Sequence, residues 1–237
     1  MFQQPLRVKS EVILKGSDRK RLRGDLQRQW PLTTTDMLKS LIPSRAEILL
    51  YRVAVGSGRE YVNVYFHQLQ PIVFEHNGIV YPTVYTAWRF SNNMTIVTTW
   101  SARASDLMRG GDLPLQSLHF SSDEQQKMCQ YIQPGRSCCI ASPETNKSAI
   151  AVGQACLTAS RMIQGVAKGT AVITMHSYGD HLWAAGCKGQ PPWIMTRLPT
   201  SLKDVKEKEL TIKGSKTYKS RRDGSSYGKT TLANRIF

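Results

Sequence analysis

Residues 148–183 place an apolar strand, a glycine, a short helix and a second apolar strand in direct succession. The first apolar run covers residues 149–152 and leads into Gly153, and the second covers residues 171–175. Runs of four or five apolar residues are of strand length, whereas residues 158–164 have the pattern of a short helix. This order restricts the second half of the chain to short strands joined by a small helix.

The positive charge of the chain is concentrated at its two ends. Lys and Arg outnumber Asp and Glu by 32 to 17, which gives a formal net charge of +15. Residues 1–28 contain eight basic and three acidic groups (+5), and residues 188–237 contain twelve and four (+8). Such an excess is typical of proteins with a polyanion partner, either nucleic acid or an anionic membrane surface. A solvated basic surface without a partner is the alternative interpretation.

Neither a membrane span nor a secretory signal is evident in the sequence. The apolar runs are far shorter than the ~20 residues that a spanning helix needs. Pro5, Arg7 and Lys9 interrupt the segment where a signal peptide would have its apolar core. The five cysteines are an odd number without a CxxC pair, which favours reduced thiols over disulfides or a zinc site. We therefore predict a cytoplasmic protein.

A basic helix is predicted near the N-terminus, after a first strand over residues 6–14. Ser17 is a suitable N-cap, and the helix is expected to end at Trp30. Leu22, Leu26 and Trp30 recur at four-residue spacing and form the stripe expected to be buried. The candidate RNA-binding cations of this segment, most of them expected on the solvent side, are Lys15, Arg19, Lys20, Arg21, Arg23 and Arg28.

Alternating patterns and turn residues predict the remaining elements. In the first half we expect a helix over residues 36–42 capped by Thr35, strands over 47–55, 60–67, 71–75 and 78–81, and a helix over 83–89. In the second half we expect strands over 95–99, 137–141, 148–157 and 171–175, and helices over 102–108 and 158–164. Turns are expected at Gly56-Ser57-Gly58, Asn77-Gly78 and Arg109-Gly110-Gly111-Asp112. A boundary near residues 91–93 divides the chain into domains 1–92 and 93–186, followed by a disordered basic tail over 187–237.

No catalytic constellation is recognisable in the sequence. The histidines fall in different predicted elements, and the five-residue separation of His176 and His181 suits neither one helix face nor a zinc spacing. We expect His181 to pack beside Trp183. Residues 1–90 contain no cofactor-binding glycine loop, so we predict no catalytic residue, no metal and no cofactor.

Several segments resemble one known family. The strand, glycine, helix and strand of residues 148–183 resemble the closing half of a PUA domain, a small β-barrel that usually binds structured RNA. The sequences RVKS at 7–10, KGSDR at 15–19 and YPTVYTAW at 81–88 are similar to the eukaryotic translation initiation factor 2D (ligatin) family. These segments span most of residues 6–185 in order. The resemblance covers the N-terminal half of that family's proteins.

The resemblance implies an α+β fold and a binding groove. A mixed α/β pre-PUA domain would precede a PUA-type β-barrel and the disordered tail. In PUA domains the turn that corresponds to Gly110, Gly111 and Asp112 helps to build the groove that receives RNA. The Pro-Gly pair that usually follows this turn is replaced by Gln116-Ser117, so a turn that merely closes the barrel is an equal alternative.

The resemblance also implies partners. Relatives such as the malignant T-cell-amplified sequence protein bind the small ribosomal subunit and act on tRNA at the P site in initiation, re-initiation and recycling. The pre-PUA domain would dock on ribosomal RNA, and the PUA domain would face the acceptor end of the tRNA. Full-length members continue into a winged-helix region and a start-codon-selecting domain. The chain could dock on its own without completing the tRNA-handling step, or a protein partner could supply these domains.

Two alternative functions stay open at this point. The chain could be a truncated interaction module, whether fragment, short isoform or diverged paralogue, that competes with the full-length factor. It could also be the accessory RNA-binding part of an RNA-modification system, because PUA domains are often attached to modification enzymes. All three hypotheses predict an RNA-binding protein.

Overall fold

The first of two sheets is an antiparallel meander of five strands. The computed structural model describes residues 1–56, 58–120, 130–142, 148–164 and 168–192. In chain order the strands of this sheet are Arg7–Ile13 (β1), Ile48–Val55 (β2), Glu60–His67 (β3), Gln70–His76 (β4) and Ile79–Pro82 (β5). Each strand pairs with the next one along the chain. The five strands predicted for this half are confirmed.

Two hairpin turns in this sheet differ in how they could be foreseen. Asn77 and Gly78 have φ values of 50° and 74°, as the predicted Asn-Gly turn between β4 and β5 requires. Gln68 and Leu69, between β3 and β4, also have positive φ values, 51° and 63°. Neither residue is one that favours this conformation, so the sequence contains no signal for the turn.

A long helix, Gly16–Gln29 (α1), packs on the first sheet through the predicted stripe. Leu22 and Leu26 are buried, as is Trp30 directly after the helix. The indole Nε1 of Trp30 donates to the carbonyl oxygen of Val80 at 2.9 Å, which fixes the end of α1 to β5. The predicted face of the helix is therefore correct.

The predicted caps of two helices are displaced. The N-cap of α1 is Lys15 rather than Ser17, because the amide of Arg19 already donates to the carbonyl of Lys15 at 3.0 Å. Helix Thr35–Leu41 (α2) is capped by Thr34 rather than Thr35, since the Thr34 hydroxyl accepts from the amide of Met37 at 3.2 Å. Both helices begin one or two residues before the predicted start.

The second sheet is built from the C-terminal half of the described residues. Its strands are Ile96–Thr98 (β6), Leu113–Pro114 (β7), Ser137–Ala141 (β8), Ala149–Ala155 (β9) and Thr170–Ser177 (β10). Their spatial order is β6-β8-β9-β10-β7, in which β6 and β8 are parallel and the other pairs antiparallel. In the described residues after β5, the short helices are Val84–Arg89 (α3), Ala104–Met108 (α4), Ala159–Gln164 (α5) and His181–Ala184 (α6).

One buried core joins the two sheets. Phe74 and Tyr81 of the first sheet belong to the same apolar cluster as Val152 and Leu182. The neighbours Cys138 and Cys139 pack into different clusters, as expected for adjacent residues of a strand. All described residues belong to one compact unit. The predicted boundary at residue 92 falls in the 3-10 turn Ser91–Asn93 and stays a prediction.

Helix α3 carries the polar contacts across this junction. The Trp88 indole donates to the carbonyl of Ala149 at 2.7 Å, and the Tyr85 hydroxyl donates to the carbonyl of Trp183 at 2.6 Å. The amide of Lys188 donates back to the Tyr85 hydroxyl at 3.0 Å. These bonds extend the ordered contacts beyond α6.

The predicted disordered tail falls almost entirely on residues 193–237, which lie outside the described residues. Residues 187–192 form neither helix nor strand. In the described part of the chain, we find no helix with the length and apolar character needed to cross a membrane.

Candidate RNA-binding surfaces

Arg19 has a structural role in α1. Its Nη1 donates to the carbonyl oxygens of Leu14 at 3.2 Å and Ala46 at 2.8 Å. Its Nε is buried and has no partner among the described residues. The guanidinium therefore holds the start of the helix against the segments that flank β1 and β2, and this candidate does not face solvent freely.

Arg21 and Arg23 lie on opposite flanks of α1. Two residues advance a helix by about 200°, so these side chains diverge by ~160°. Arg23 is half-buried and donates to the Ser44 hydroxyl at 3.0 Å. The Arg21 side chain is 76% exposed and lies 3.8 Å from an oxygen of Asp18. The expectation that both point to solvent is therefore met by Arg21 alone.

Three cations share the solvent side of α1. Lys20, Arg21 and Arg28 are exposed, and helical geometry brings them within an arc of about 100°. We call these three residues the α1 basic face. Arg28 is paired with Asp25 of the previous turn. Lys15 is exposed at the N-cap, beside this face in sequence rather than on it.

The charge of Arg21, which belongs to the α1 basic face, acts on Tyr65 of β3. Burial raises the pKa of the Tyr65 phenol, the Glu75 carboxylate that accepts its hydrogen bond at 2.9 Å raises it further, and Arg21 opposes the change. Arg21 therefore has an electrostatic effect on the Tyr65 phenol. The basic face stands on a helix fixed by the sheet beneath it.

The predicted turn at Gly110 is covered by the N-terminal segment. Gly110 has a φ of 82° and ends α4, with its amide donating to the carbonyl of Leu107 at 2.9 Å. A Cβ at Gly110 would lie 2.8 Å from Nε2 of Gln3, and one at Gly111 would lie 3.0 Å from the carbonyl oxygen of Asp106. The space left by the missing side chains of Gly110 and Gly111 is thus approached by Gln3 and by the backbone of Asp106.

Asp112 and Ser117 also accept hydrogen bonds from other residues of the same domain. A carboxylate oxygen of Asp112 accepts from the amide of Thr174 at 2.9 Å, at the irregularity where β10 shifts register against β9. The carbonyl of Ser117, in the replaced Gln116-Ser117 pair, accepts from the Thr99 hydroxyl at 2.7 Å. These contacts favour the alternative in which the turn closes the domain.

A buried histidine–aspartate pair was not foreseen from the sequence. His176 Nδ1 lies 2.8 Å from Asp180 Oδ2, and both side chains are fully buried. Asp180 also accepts from the amides of Ser177 and Trp183, each at 2.9 Å. The expectation that His181 packs beside Trp183 is wrong, because His181 is exposed at the start of α6 and His176 occupies the core.

The His176 ring is enclosed by aromatic side chains. Its centroid lies 6.1 Å from that of Phe2 and 5.9 Å from that of Phe74. A substrate could not reach an imidazole packed in this way, so the pair is a structural link between the N-terminal segment and the end of β10. Among the described residues, no group of three His, Cys, Asp or Glu side chains is arranged to hold a metal ion.

An exposed aromatic pair was missed as well. The ring centroids of Trp100 and His119 are 3.8 Å apart with an interplanar angle of 34°, and Trp100 is 52% exposed. Arg103 and Arg109 follow Trp100 in the chain, and both pair with Asp106, at 3.2 and 2.7 Å. Tryptophan at a strand end more often belongs to a core, so the sequence alone gives no reason to place it outside.

Comparison with protein families agrees with the two-sheet architecture. A model described as a Pre-PUA-like domain matches residues 2–90, and the model of the PUA domain of eukaryotic translation initiation factor 2D matches residues 94–181. Eukaryotic translation initiation factor 2D of Mus musculus is 35% identical over 200 residues, which is 84% of this chain and 34% of the relative. The Homo sapiens protein of that name is 34% identical over 194 residues, or 82% and 32%. The chain spans about a third of the length of these relatives.

Solved structures support the fold. A hypothetical protein from the archaeon Pyrococcus horikoshii OT3 superposes with a TM-score of 0.58 at 14% identity, over 75% of this chain and all of its own. A conserved PUA domain protein from Thermoplasma acidophilum gives 0.52 at 19% identity, over 75% and 99%. The described residues therefore have an α+β fold in which a pre-PUA domain precedes a PUA domain.

Proposed function

Because the chain belongs to the eukaryotic translation initiation factor 2D family through its pre-PUA and PUA domains, we propose that it docks on the small ribosomal subunit. In this proposal it acts as a non-catalytic RNA-binding module that helps to position or release P-site tRNA in initiation, re-initiation or recycling. The family and the PUA domain support the broader role, which is RNA binding in translation.

The α1 basic face is the observation that carries ribosome docking. Lys20, Arg21 and Arg28 project from a helix whose other side is anchored by Leu22 and Leu26. Cations on a fixed scaffold neutralise phosphates and release counterions without an additional ordering cost, which makes binding sensitive to salt. Arg19 and Arg23 would support this surface from within the fold rather than contact RNA.

The proposal divides the work between the domains. The pre-PUA domain would contact ribosomal RNA, and the PUA domain would face the tRNA in the cytoplasm. A protein that carries a start-codon-selecting domain is a proposed partner. One further candidate function is a module that occupies the subunit and competes with the full-length factor.

Co-sedimentation with purified small ribosomal subunits across a salt series tests docking. We expect saturable binding that weakens as salt rises, and we expect Lys20→Glu with Arg21→Glu to reduce both the affinity and the salt slope. The matched control is Arg161→Glu with Lys168→Glu, which makes the same change in net charge at two exposed cations of the other domain.

Equal losses in the two double variants would contradict the proposal, because they would indicate attraction to total charge rather than to α1. Release of P-site tRNA from a reconstituted subunit then separates the two candidates. If the chain releases tRNA, with or without an added partner, the result supports a translation factor. If the chain instead inhibits the tRNA release that the full-length relative promotes, the result supports a competing module.

A further inference from the structure

We propose that Trp100 and His119 form a stacking site for an unpaired RNA base in the PUA domain. The inference rests on the proposed function in requiring RNA as the partner, and it goes further in naming the site and the kind of nucleotide. The side chain of Gln3 lies against Gly110, and this stacking site offers RNA a contact surface elsewhere on the domain.

The two rings are held on a rigid backbone frame. The amide of Trp100 donates to the carbonyl of Ser117 at 3.4 Å, and that of His119 donates to the carbonyl of Thr98 at 2.9 Å. A bridge between Thr99 and Leu118 lies between these contacts. The stacked rings are therefore preorganised, and binding a base requires little additional ordering.

The platform is open to solvent. About half of Trp100 is accessible although His119 stacks against the indole, so part of the ring surface is left for a ligand. An isolated exposed aromatic residue has no special meaning. An exposed indole that stacks on a second ring is a different arrangement, since every nucleic-acid base offers a π-face to it.

Two arginines that follow Trp100 closely in the chain carry positive charge. Arg103 follows Trp100 by three residues, and its amide donates to the carbonyl of Trp100 at 2.9 Å. Arg103 and Arg109 both donate to Asp106, so this group of three side chains carries one net positive charge. A planar aromatic surface next to a positive charge suits a base and its adjoining phosphate, whereas an acidic patch would have repelled them.

Equilibrium binding of the full chain to two oligoribonucleotides tests this site. The first probe is an eight-nucleotide oligoadenylate, and the second has the same phosphates but abasic sugars. We expect Trp100→Ala to weaken oligoadenylate binding by about tenfold, which is within the range of stacking on one aromatic ring, and to leave abasic binding unchanged. Trp100→Phe should restore most of the loss, and Tyr131→Ala, at another exposed aromatic residue, should have no effect.

The outcomes separate this site from the proposed function. Salt-sensitive binding of both probes that Trp100→Ala does not alter would overturn the stacking site and leave RNA binding intact. Equal losses with both probes would also overturn it, because they would show that phosphate attraction or folding had changed. If Trp100→Ala weakened only a complex with a protein of the ribosome, the surface would be a protein interface and the inference would be wrong. Failure of the wild-type chain to bind either probe would contradict RNA binding itself.

Discussion

At the residue scale, the space around each side chain decides what a substitution does. Gly153 and Gly24 are both inside regular elements, but a Cβ at Gly153 would lie 2.3 Å from the carbonyl oxygen of Ile173, and a Cβ at Gly24 would meet nothing within 4 Å. We expect Gly153→Ala to destabilise the protein by about 3 kcal/mol or more, because a paired strand would have to move. Gly24→Ala should stabilise it by ~0.5–1 kcal/mol through helix propensity. Urea unfolding of both variants tests this, and a similar effect of the two would contradict the close packing of β9 against β10.

Substitutions of two arginines of α1 are expected to affect different properties, one the stability of the protein and the other its binding to the ribosomal subunit. Arg19→Gln removes donors to the carbonyls of Leu14 and Ala46, which we expect to lower the free energy of unfolding by about 1–3 kcal/mol. Arg21→Gln should change stability by no more than ~0.5 kcal/mol and should weaken binding to the ribosomal subunit. Thermal unfolding and co-sedimentation are measured on the same preparations. A folded Arg19→Gln variant that lost binding as strongly as Arg21→Gln would show that Arg19 contacts RNA after all.

At the element scale, the sequence was most informative where a pattern was local. The stripe of Leu22, Leu26 and Trp30 set the buried face of α1, and Asn77-Gly78 set the turn after β4. Partners that are distant in sequence could not be foreseen in this way. Arg23 is half-buried because Ser44 comes from the loop before β2, and the turn at Gln68 and Leu69 forms because the register of β3 and β4 imposes it.

The turn from β10 into α6 gives a prediction about pH. Burial acts to raise the pKa of Asp180, but His176 and the hydrogen bonds from Trp183 and Ser177 outweigh it and hold the pKa below its ordinary value. A carboxyl whose folded-state pKa is depressed stabilises the fold fully above its unfolded pKa of ~3.9, and this contribution is lost as pH falls through the folded-state value. Asp180→Asn should therefore cost about 3 kcal/mol at pH 7 and less below pH ~4.

Guanidinium unfolding at several pH values measures this difference. Asp36→Asn is the matched control, since the Asp36 side chain is almost fully exposed on α2. Its effect should be within ~0.5 kcal/mol at pH 7. A cost of Asp180→Asn that stayed constant down to pH 2 would mean that packing, rather than the ionised carboxylate, links β10 to α6.

At the scale of the whole molecule, the two domains share a core, so a boundary drawn from the sequence does not mark where the structure can be cut. Val152 and Leu182 share the buried cluster of Phe74 and Tyr81, and the N-terminal Phe2 packs against His176. The family match over the PUA domain ends at residue 181, yet contacts continue to Pro192, whose carbonyl accepts from the Ser148 hydroxyl. The placement of α1 and of the Trp100 platform thus depends on the entire unit.

Truncation at two points tests where this unit ends. Ending the chain after Pro192 removes eleven basic and four acidic residues and should leave the free energy of unfolding within ~0.5 kcal/mol of the full chain. Ending it after Ala185 also removes four hydrogen bonds to residues 187–192, which should cost ~4 kcal/mol at about 1 kcal/mol for each bond. These bonds join Lys188 to Tyr85, Trp183 to Gly189, Cys187 to Gln70 and Ser148 to Pro192. In co-sedimentation, the chain that ends at Pro192 should bind the subunit with a shallower salt slope than the full chain. Its affinity should still fall when Lys20 and Arg21 are replaced, because the remaining chain keeps the α1 basic face on its scaffold. Complete loss of subunit binding in that variant, with stability unchanged, would assign docking to residues 193–237 and leave α1 as a solvated surface.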